Sequence, residues 1–204
     1  MPIKDNREYR TAKPFEIRKS EADEASFLVE GYATTFNEPY IMYSYDGVDY
    51  FEEVDAKAFD EADMSDVIFQ YDHAGMVYAR QKNGTMELSV DENGLKVVAD
   101  LGSTSQSREM YEAIKSGLVS EMSFAFTVEE DSYNEKTHTR TIRKINKLYD
   151  VSAVSIPANP ATTISARSYF DGVIEKEKQE LLEAEEKKKE IRKIIIKTEV
   201  KKWN

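Results

Sequence analysis

Residues 119–128, VSEMSFAFTV, carry the clearest strand pattern in the chain. Large apolar side chains occupy every second position, and small or hydroxyl side chains stand between them. The apolar positions are Met122, Phe124, Phe126 and Val128, and the other positions include Ser123, Ala125 and Thr127. Because successive side chains of a β-strand point to opposite faces, this alternation predicts one face packed into a core and one small, accessible face.

Strand and turn signals continue on both sides of this stretch. Asp46 and Gly47 form a two-residue hairpin signal, and residues 91–94 form a second one. Residues 129–135 are rich in acidic side chains and predict a loop. The segments predicted as strands are residues 27–36, 40–45, 48–51, 67–73, 85–90, 95–101, 119–128, 137–145 and 148–157.

Two short helices are predicted among these strands. Residues 55–62 begin with Asp55, a residue type that caps helix N-termini, and residues 105–116 show apolar side chains at helical spacing. One face of the second helix carries Met110, Ile114 and Leu118, and Gly117 is expected to end the helix. The chain is therefore expected to be mainly β with surrounding helices, an α+β fold.

Composition divides the 204 residues into three parts. Residues 1–13 are polar and predict a flexible N-terminus, residues 14–168 predict a folded domain, and residues 169–204 predict a charged helical tail. The apolar residues of the tail keep no heptad, which argues against a coiled coil. Its i,i+4 pairs of favourable polarity are Glu183/Lys187 and Glu185/Lys189.

Charge and composition exclude several classes of protein. The net charge of −11 lies on the residues before the tail, because the ten Lys/Arg and nine Asp/Glu after residue 170 nearly cancel. Duplex affinity comes largely from Lys and Arg, so no nucleic-acid partner is expected. Neither a membrane span of ~20 apolar residues nor a signal peptide is present, which predicts a cytoplasmic protein without membrane contact. With no cysteine and two histidines, we expect no metal site and no cofactor.

His73 is the first candidate for chemistry, because it is one of only two histidines. Histidine is the side chain that gains or loses a proton near neutral pH without help from its surroundings. His73 ends a β-rich apolar run and precedes Gly75, so a rigid element can hold it at a surface or cleft. Taken alone, His73 fits a structural role better, as a half-buried histidine hydrogen-bonded at a strand end.

A serine hydrolase needs a hydroxyl, a base that takes its proton and a group that orients the base. Ser123 lies on the small face of its strand, and Asp150 stands in a segment otherwise built from apolar and small residues. Each has an ordinary alternative, since a strand serine can bond to the backbone and Asp150 can pair with a lysine. Asp72 is a poor orienting group for His73, because neighbouring strand residues point to opposite faces. His138 is expected to be solvated and is the reserve for the third position.

Six segments of the chain follow one another in a distinctive order and spacing. They are GYATTFN (31–37), FQYDH (69–73), NGLKV (93–97), MYEAIKSG (110–117), SEMSFAF (120–126) and YDVSAVSIPANP (149–160). In this set the chain resembles the prohead (capsid maturation) proteases of tailed bacteriophages, the HK97-type family, which is related in fold to the herpesvirus assemblins.

The resemblance implies an assemblin-like β-barrel and a serine endopeptidase. Matched by motif, Ser123 is the nucleophile and His73 the base. Asp150 stands where the family carries its third, acidic residue, at the head of the motif that precedes Ser-x-x-x-x-Pro-x-Asn-Pro. The chain departs from the family in having Asp there instead of the usual Glu, and Phe-Ala-Phe after the serine where a glycine is common.

The resemblance also implies partners and a location. The expected substrates are the major capsid protein or the scaffold, cleaved inside the procapsid in the host cytoplasm, with self-cleavage in addition. The assemblins dimerise, so a homodimer is implied, and the charged tail fits a packaging handle. The alternative is a catalytically inactive structural or scaffolding β-domain whose tail recruits partners. A metal-dependent hydrolase is disfavoured, because two distant histidines and scattered carboxylates make no recognisable site.

Overall fold

The computed structural model describes residues 7–11, 27–155 and 164–202. Within those residues the chain forms ten strands, two α-helices and one short 3-10 helix, residues Gln81–Asn83. The strands are β1 (Glu8–Thr11), β2 (Leu28–Thr35), β3 (Tyr40–Tyr45), β4 (Val48–Val54), β5 (Ile68–Tyr71), β6 (Ala74–Arg80), β7 (Met86–Val90), β8 (Gly94–Asp100), β9 (Glu121–Asn134) and β10 (Thr139–Val154). The helices are α1 (Ser105–Lys115) and α2 (Ile164–Lys202).

Two sheets organise the described strands. The larger has the order β1-β9-β10-β4-β3, with β5 paired to β10 and β6 paired to β5, and the smaller has the order β2-β8-β7. Strand β10 is long enough to pair in parallel with two strands in succession, with β4 at residues 139–142 and with β5 at residues 150–153. The mainly β, α+β prediction is confirmed. The pairings of the described strands close no barrel, so the assemblin-like barrel stays a prediction.

One apolar core joins both sheets and α1. Phe124 and Phe126 of β9 are buried and stack with ring centroids 4.6 Å apart, which confirms the predicted packed face of that strand. Both predicted hairpins are also confirmed. Further core residues are Val29, Leu95 and Val97 from the smaller sheet, Ile142, Ile145 and Leu148 from β10, and Met110 and Ile114 from α1.

Two predicted irregular segments belong to strands instead. Residues 129–134, predicted as an acidic loop, continue β9, because basic residues of β10 face them: Lys144 Nζ lies 3.1 Å from Glu129 and Arg140 Nη2 2.6 Å from Asp131. Opposite charges across neighbouring strands stabilise the pairing. Residues 8–11, predicted as part of a flexible N-terminus, form β1, which pairs with β9.

The prediction of a helix at residues 55–62 is wrong. The prediction that Leu118 lies on the apolar face of the second helix is also wrong. The Asp55 carboxylate accepts a hydrogen bond from the Lys57 N–H at 2.9 Å, and the Asp55 carbonyl accepts one from the Ala58 N–H. These local bonds hold a series of turns, because an Asp side chain competes with the helical hydrogen-bond pattern. Leu118 is 79% exposed, since α1 ends at Lys115.

The chain contacts divide into two units, Met1–Ala166 and Arg167–Asn204. Helix α2 is 39 residues long and includes most of the charged tail. In this helix Lys176 Nζ lies 3.6 Å from the carboxylate of Glu180, an i,i+4 pair. Among the described residues, no helix has the length and apolar content needed to cross a membrane.

Candidate active site

Ser123 lies in the interior of the larger sheet. It pairs with Ser152 of β10 on one side and with Thr11 of β1 on the other. Its exposed fraction is 0%, and Ala125 on the same face is also buried. The prediction of an accessible small face on β9 is therefore wrong, because small residues leave space that neighbouring groups fill.

His73 lies in a hairpin turn rather than at the strand end predicted for it. Asp72 and His73 connect Tyr71 to Ala74, which pair with each other across β5 and β6. Both turn residues have positive φ, 48° at Asp72 and 55° at His73, as a two-residue hairpin turn of type I′ requires. A non-glycine residue in this region costs about 1–3 kcal/mol, and such strain concentrates at functional sites.

The imidazole of His73 joins the other two predicted residues. Its Nε2 atom lies 2.7 Å from Ser123 Oγ, and its Nδ1 atom lies 2.6 Å from Asp150 Oδ1. Ser123 and Asp150 are buried, and the His73 side chain is 16% exposed. With the proton on Nδ1, the ring donates to the carboxylate and leaves Nε2 free to accept the serine proton. The arrangement is that of a hydroxyl, a base and a group that fixes the base.

Asp150 has a second partner that the sequence reasoning missed. The hydroxyl of Ser152 donates to Asp150 Oδ1, the oxygen that faces His73, at 2.7 Å. Ser152 has no exposed surface. Its spacing of two residues from Asp150 on one strand places both side chains on the same face, and this period was the available signal.

Tyr9 of β1 was also missed. Its ring meets the ring of His73 at a centroid distance of 4.7 Å and an interplanar angle of 72°. No local pattern predicted this contact, because β1 is a strand of four residues in a polar segment. Its position depends on residues distant in sequence.

His138, the reserve for the third position, lies away from the site. Its Nδ1 atom is 3.2 Å from the hydroxyl of Tyr133, and its ring contacts Tyr50 at 5.1 Å. Asp150 therefore occupies the place beside His73. As predicted, Asp72 does not orient the imidazole. Its carboxylate accepts a hydrogen bond from the Ser155 N–H instead.

A charged cluster lies on the opposite face of β1. Arg10, buried, binds Glu52 of β4, with Nη2 2.8 Å from Oε2, and Arg140 binds both Glu8 and Glu52. Burial alone would lower the pKa of Arg10, but the carboxylates of Glu52 and Glu8 outweigh it and raise that pKa. Burial would likewise raise the pKa of Glu8, but Arg10 and Arg140 outweigh it and lower that pKa. These ion pairs fix β1 against β4 and β10.

Within the described part of the chain, no group of three or more His, Cys, Asp or Glu side chains is placed to hold a metal ion.

Comparison with known families adds a second, independent observation. Residues 13–176 match the family described as caudovirus prohead serine protease. The chain belongs to the caudovirus prohead serine protease family. Membership confirms the resemblance to phage prohead proteases and places the chain among serine peptidases, whereas the narrower relation to HK97-type enzymes and assemblins stays a prediction. Neither the curated proteins nor the solved structures yield a match.

Proposed function

We propose that this prohead-family protein is a serine endopeptidase that processes capsid or scaffold proteins during procapsid maturation. The observation that carries the proposal is the continuous contact from Ser123 Oγ through both ring nitrogens of His73 to Asp150, with steps of 2.7 and 2.6 Å. Family membership supports the same reaction class from an independent direction.

In the proposed reaction, Ser123 Oγ attacks the carbonyl carbon of a peptide bond while His73 Nε2 takes the hydroxyl proton. Backbone N–H groups stabilise the tetrahedral oxyanion, and His73 then gives the proton to the leaving amine. Water attacks the resulting acyl-enzyme by the same route, with His73 again as the base. The C–N bond of the substrate is broken, and the serine hydroxyl is restored.

Asp150 acts through His73. Its carboxylate accepts the Nδ1 proton, holds the ring in the tautomer that presents a lone pair at Nε2, and stabilises the imidazolium formed during attack. The Ser152 hydroxyl donates a second hydrogen bond to the same oxygen of that carboxylate. The proposed substrates are the major capsid protein or scaffold inside the procapsid, in the host cytoplasm, together with segments of this chain itself.

Intact-mass analysis of the capsid protein of the same phage, coexpressed with the full chain, tests the proposal. Wild type and Ser120→Ala should both yield the processed form, since Ser120 is exposed and precedes β9. Ser123→Ala should leave the capsid protein unprocessed, apart from the residual catalysis, about 10³- to 10⁴-fold over water, that loss of one triad member leaves. Unchanged processing by Ser123→Ala would overturn the assignment.

One observation favours the alternative of an inactive structural domain. Ser123 has no exposed surface, so a substrate carbonyl reaches Oγ only after neighbouring groups move. A small fluorophosphonate probe separates the two functions, because it reacts only with an activated serine. Covalent labelling of wild type at Ser123, located by peptide mass analysis, supports the peptidase. An unlabelled wild type with unprocessed capsid protein supports the structural domain.

A further inference from the structure

Strand β1 lies before residue 13, where the family match begins, yet it runs beside the candidate nucleophile. In the pairing of β1 with β9, Thr11 lies opposite Ser123 and Tyr9 lies opposite Ala125. Directly paired residues of neighbouring strands share one face of the sheet. Tyr9 is therefore on the same face of the sheet as Ser123. It lies outside residues 13–176, the region that matches the family.

The ring of Tyr9 restrains His73 in a direction that its hydrogen bonds do not. The contacts with Ser123 and Asp150 involve the two ring nitrogens, so tilting of the imidazole about the line between these partners is less restricted. Tyr9 meets the imidazole edge to face, at 4.7 Å and 72°. This geometry is the favourable one for two aromatic rings.

The other face of β1 fixes Tyr9 in place. Arg10, next in sequence, points to the opposite side and is buried in its ion pair with Glu52, while Glu8 binds Arg140. A charged side chain that is buried keeps its partner, because separation would leave an uncompensated charge. The strand is therefore held by its charged face and presents its aromatic face to the site.

We propose that β1 is part of the active site and that Tyr9 is a positioning residue for His73. The inference rests on the proposed serine-peptidase reaction. Tyr9 acts through the imidazole rather than on the substrate, and it keeps Nε2 directed at Ser123 Oγ.

The test compares Tyr9→Leu, Tyr9→Phe and Tyr50→Leu in the full chain, with a fluorophosphonate probe. Tyr50 is the matched control, because its ring contacts the second histidine, His138, in the same T-shaped manner at 5.1 Å. Tyr9→Leu should slow labelling of Ser123 about two- to thirteen-fold, the range expected for loss of one aromatic pair. Tyr9→Phe keeps the ring and should label at the wild-type rate, as should Tyr50→Leu.

Proton NMR of the imidazoles gives a readout that general destabilisation does not move. With two histidines in the chain, their signals are readily told apart. The Nδ1 proton of His73, deshielded by its short contact with Asp150, should be sharp in wild type, Tyr9→Phe and Tyr50→Leu. In Tyr9→Leu it should broaden by exchange with water, while the unchanged ring signals of His138 report a folded protein.

The outcomes separate this inference from the function beneath it. A wild-type chain that is not labelled at Ser123 overturns the proposed reaction. A labelled wild type, with Tyr9→Leu equally fast and its Nδ1 proton equally sharp, overturns only the role of Tyr9. If Tyr9→Leu does not fold, Tyr9→Val replaces it, because a β-branched residue suits a strand and also lacks the ring; the same two results then decide.

Discussion

The carboxylate of Asp72 ties the turn that carries His73 to the end of β10, where it accepts hydrogen bonds from the N–H and the hydroxyl of Ser155, both at 3.0 Å. The backbone N–H of Asp72 also donates to the carbonyl of Ala153 at 3.0 Å. The two neighbours Asp72 and His73 thus have separate tasks, one anchoring the strained turn and the other reaching the serine.

Replacement of Asp72 should therefore lower activity without touching the reacting atoms. Asp72→Gly suits the positive φ but lacks the acceptor, so fluorophosphonate labelling of Ser123 should fall about ten-fold. Asp72→Asn keeps an acceptor oxygen and tolerates the same backbone, so it should stay within about three-fold of wild type. Equal rates for Asp72→Gly and wild type would show that the tether to Ser155 does not position His73.

Loss of the Ser152 hydroxyl should leave the Asp150 carboxylate, which orients His73, less firmly held. Ser152→Ala removes one hydrogen bond to the charged carboxylate of Asp150, worth about 1.5–3 kcal/mol, so kcat should fall at least about ten-fold. KM should change little, because Ser152 contacts Asp150 and is not placed to touch substrate. Ser107→Ala is the control, since it removes a buried hydroxyl in α1 and should leave kcat unchanged. A raised KM at constant kcat would argue for a substrate-binding role instead.

Alternation predicted the packed face of β9, and the ordered motifs proposed the three residues of the candidate site, which the fold brings into contact. Phe124 and Phe126 follow from alternation alone. That Ser123, His73 and Asp150 meet was predicted only through the motifs shared with the resembling family, because Ser123 and Asp150 lie on two strands and His73 lies in a turn distant in sequence from both.

What the sequence did not predict depends on tertiary pairing. The turn formed by Asp72 and His73 contains no glycine, so the sequence does not indicate its positive φ angles. Strand β1 has only four residues and is fixed by Glu52, 42 positions away from Arg10, so no local pattern indicates it. The small face of β9 is buried because neighbouring groups cover it, which alternation cannot indicate.

The length of residue 150 should matter as much as its charge. Asp150→Glu adds a methylene where the carboxylate is buried and already 2.6 Å from His73, so the ring must shift. A displacement near 1 Å costs about 10² in rate. Asp150→Asn keeps the size but presents an amide, which disfavours the productive tautomer and should cost about 10⁴. Single-turnover labelling of Ser123 measures both, with Asp100→Asn, an exposed site, as the control. A rate for Asp150→Glu at or above wild type would contradict the geometry described for Asp150.

Acid should loosen β1 through Glu8. The lowered pKa of its carboxyl means that Glu8 stabilises the fold at pH values above its unfolded pKa, roughly 4.3, and that this contribution is lost as pH falls through the folded pKa. At pH 7, Glu8→Gln should therefore reduce the free energy of unfolding by about 1.5–3 kcal/mol, the range for hydrogen bonds to charged groups. Below pH 4 the difference from wild type should shrink, because protonation removes the same charge from the native side chain. Urea unfolding at a series of pH values measures this difference. Glu61→Gln is the control: Glu61 likewise pairs with a basic side chain, here Lys144, but it is largely exposed, so its replacement should change stability little at any pH. If the difference in free energy of unfolding between wild type and Glu8→Gln stayed constant with pH, the effect would come from packing and not from charge. The ion pairs of Glu8 would then not be what anchors β1.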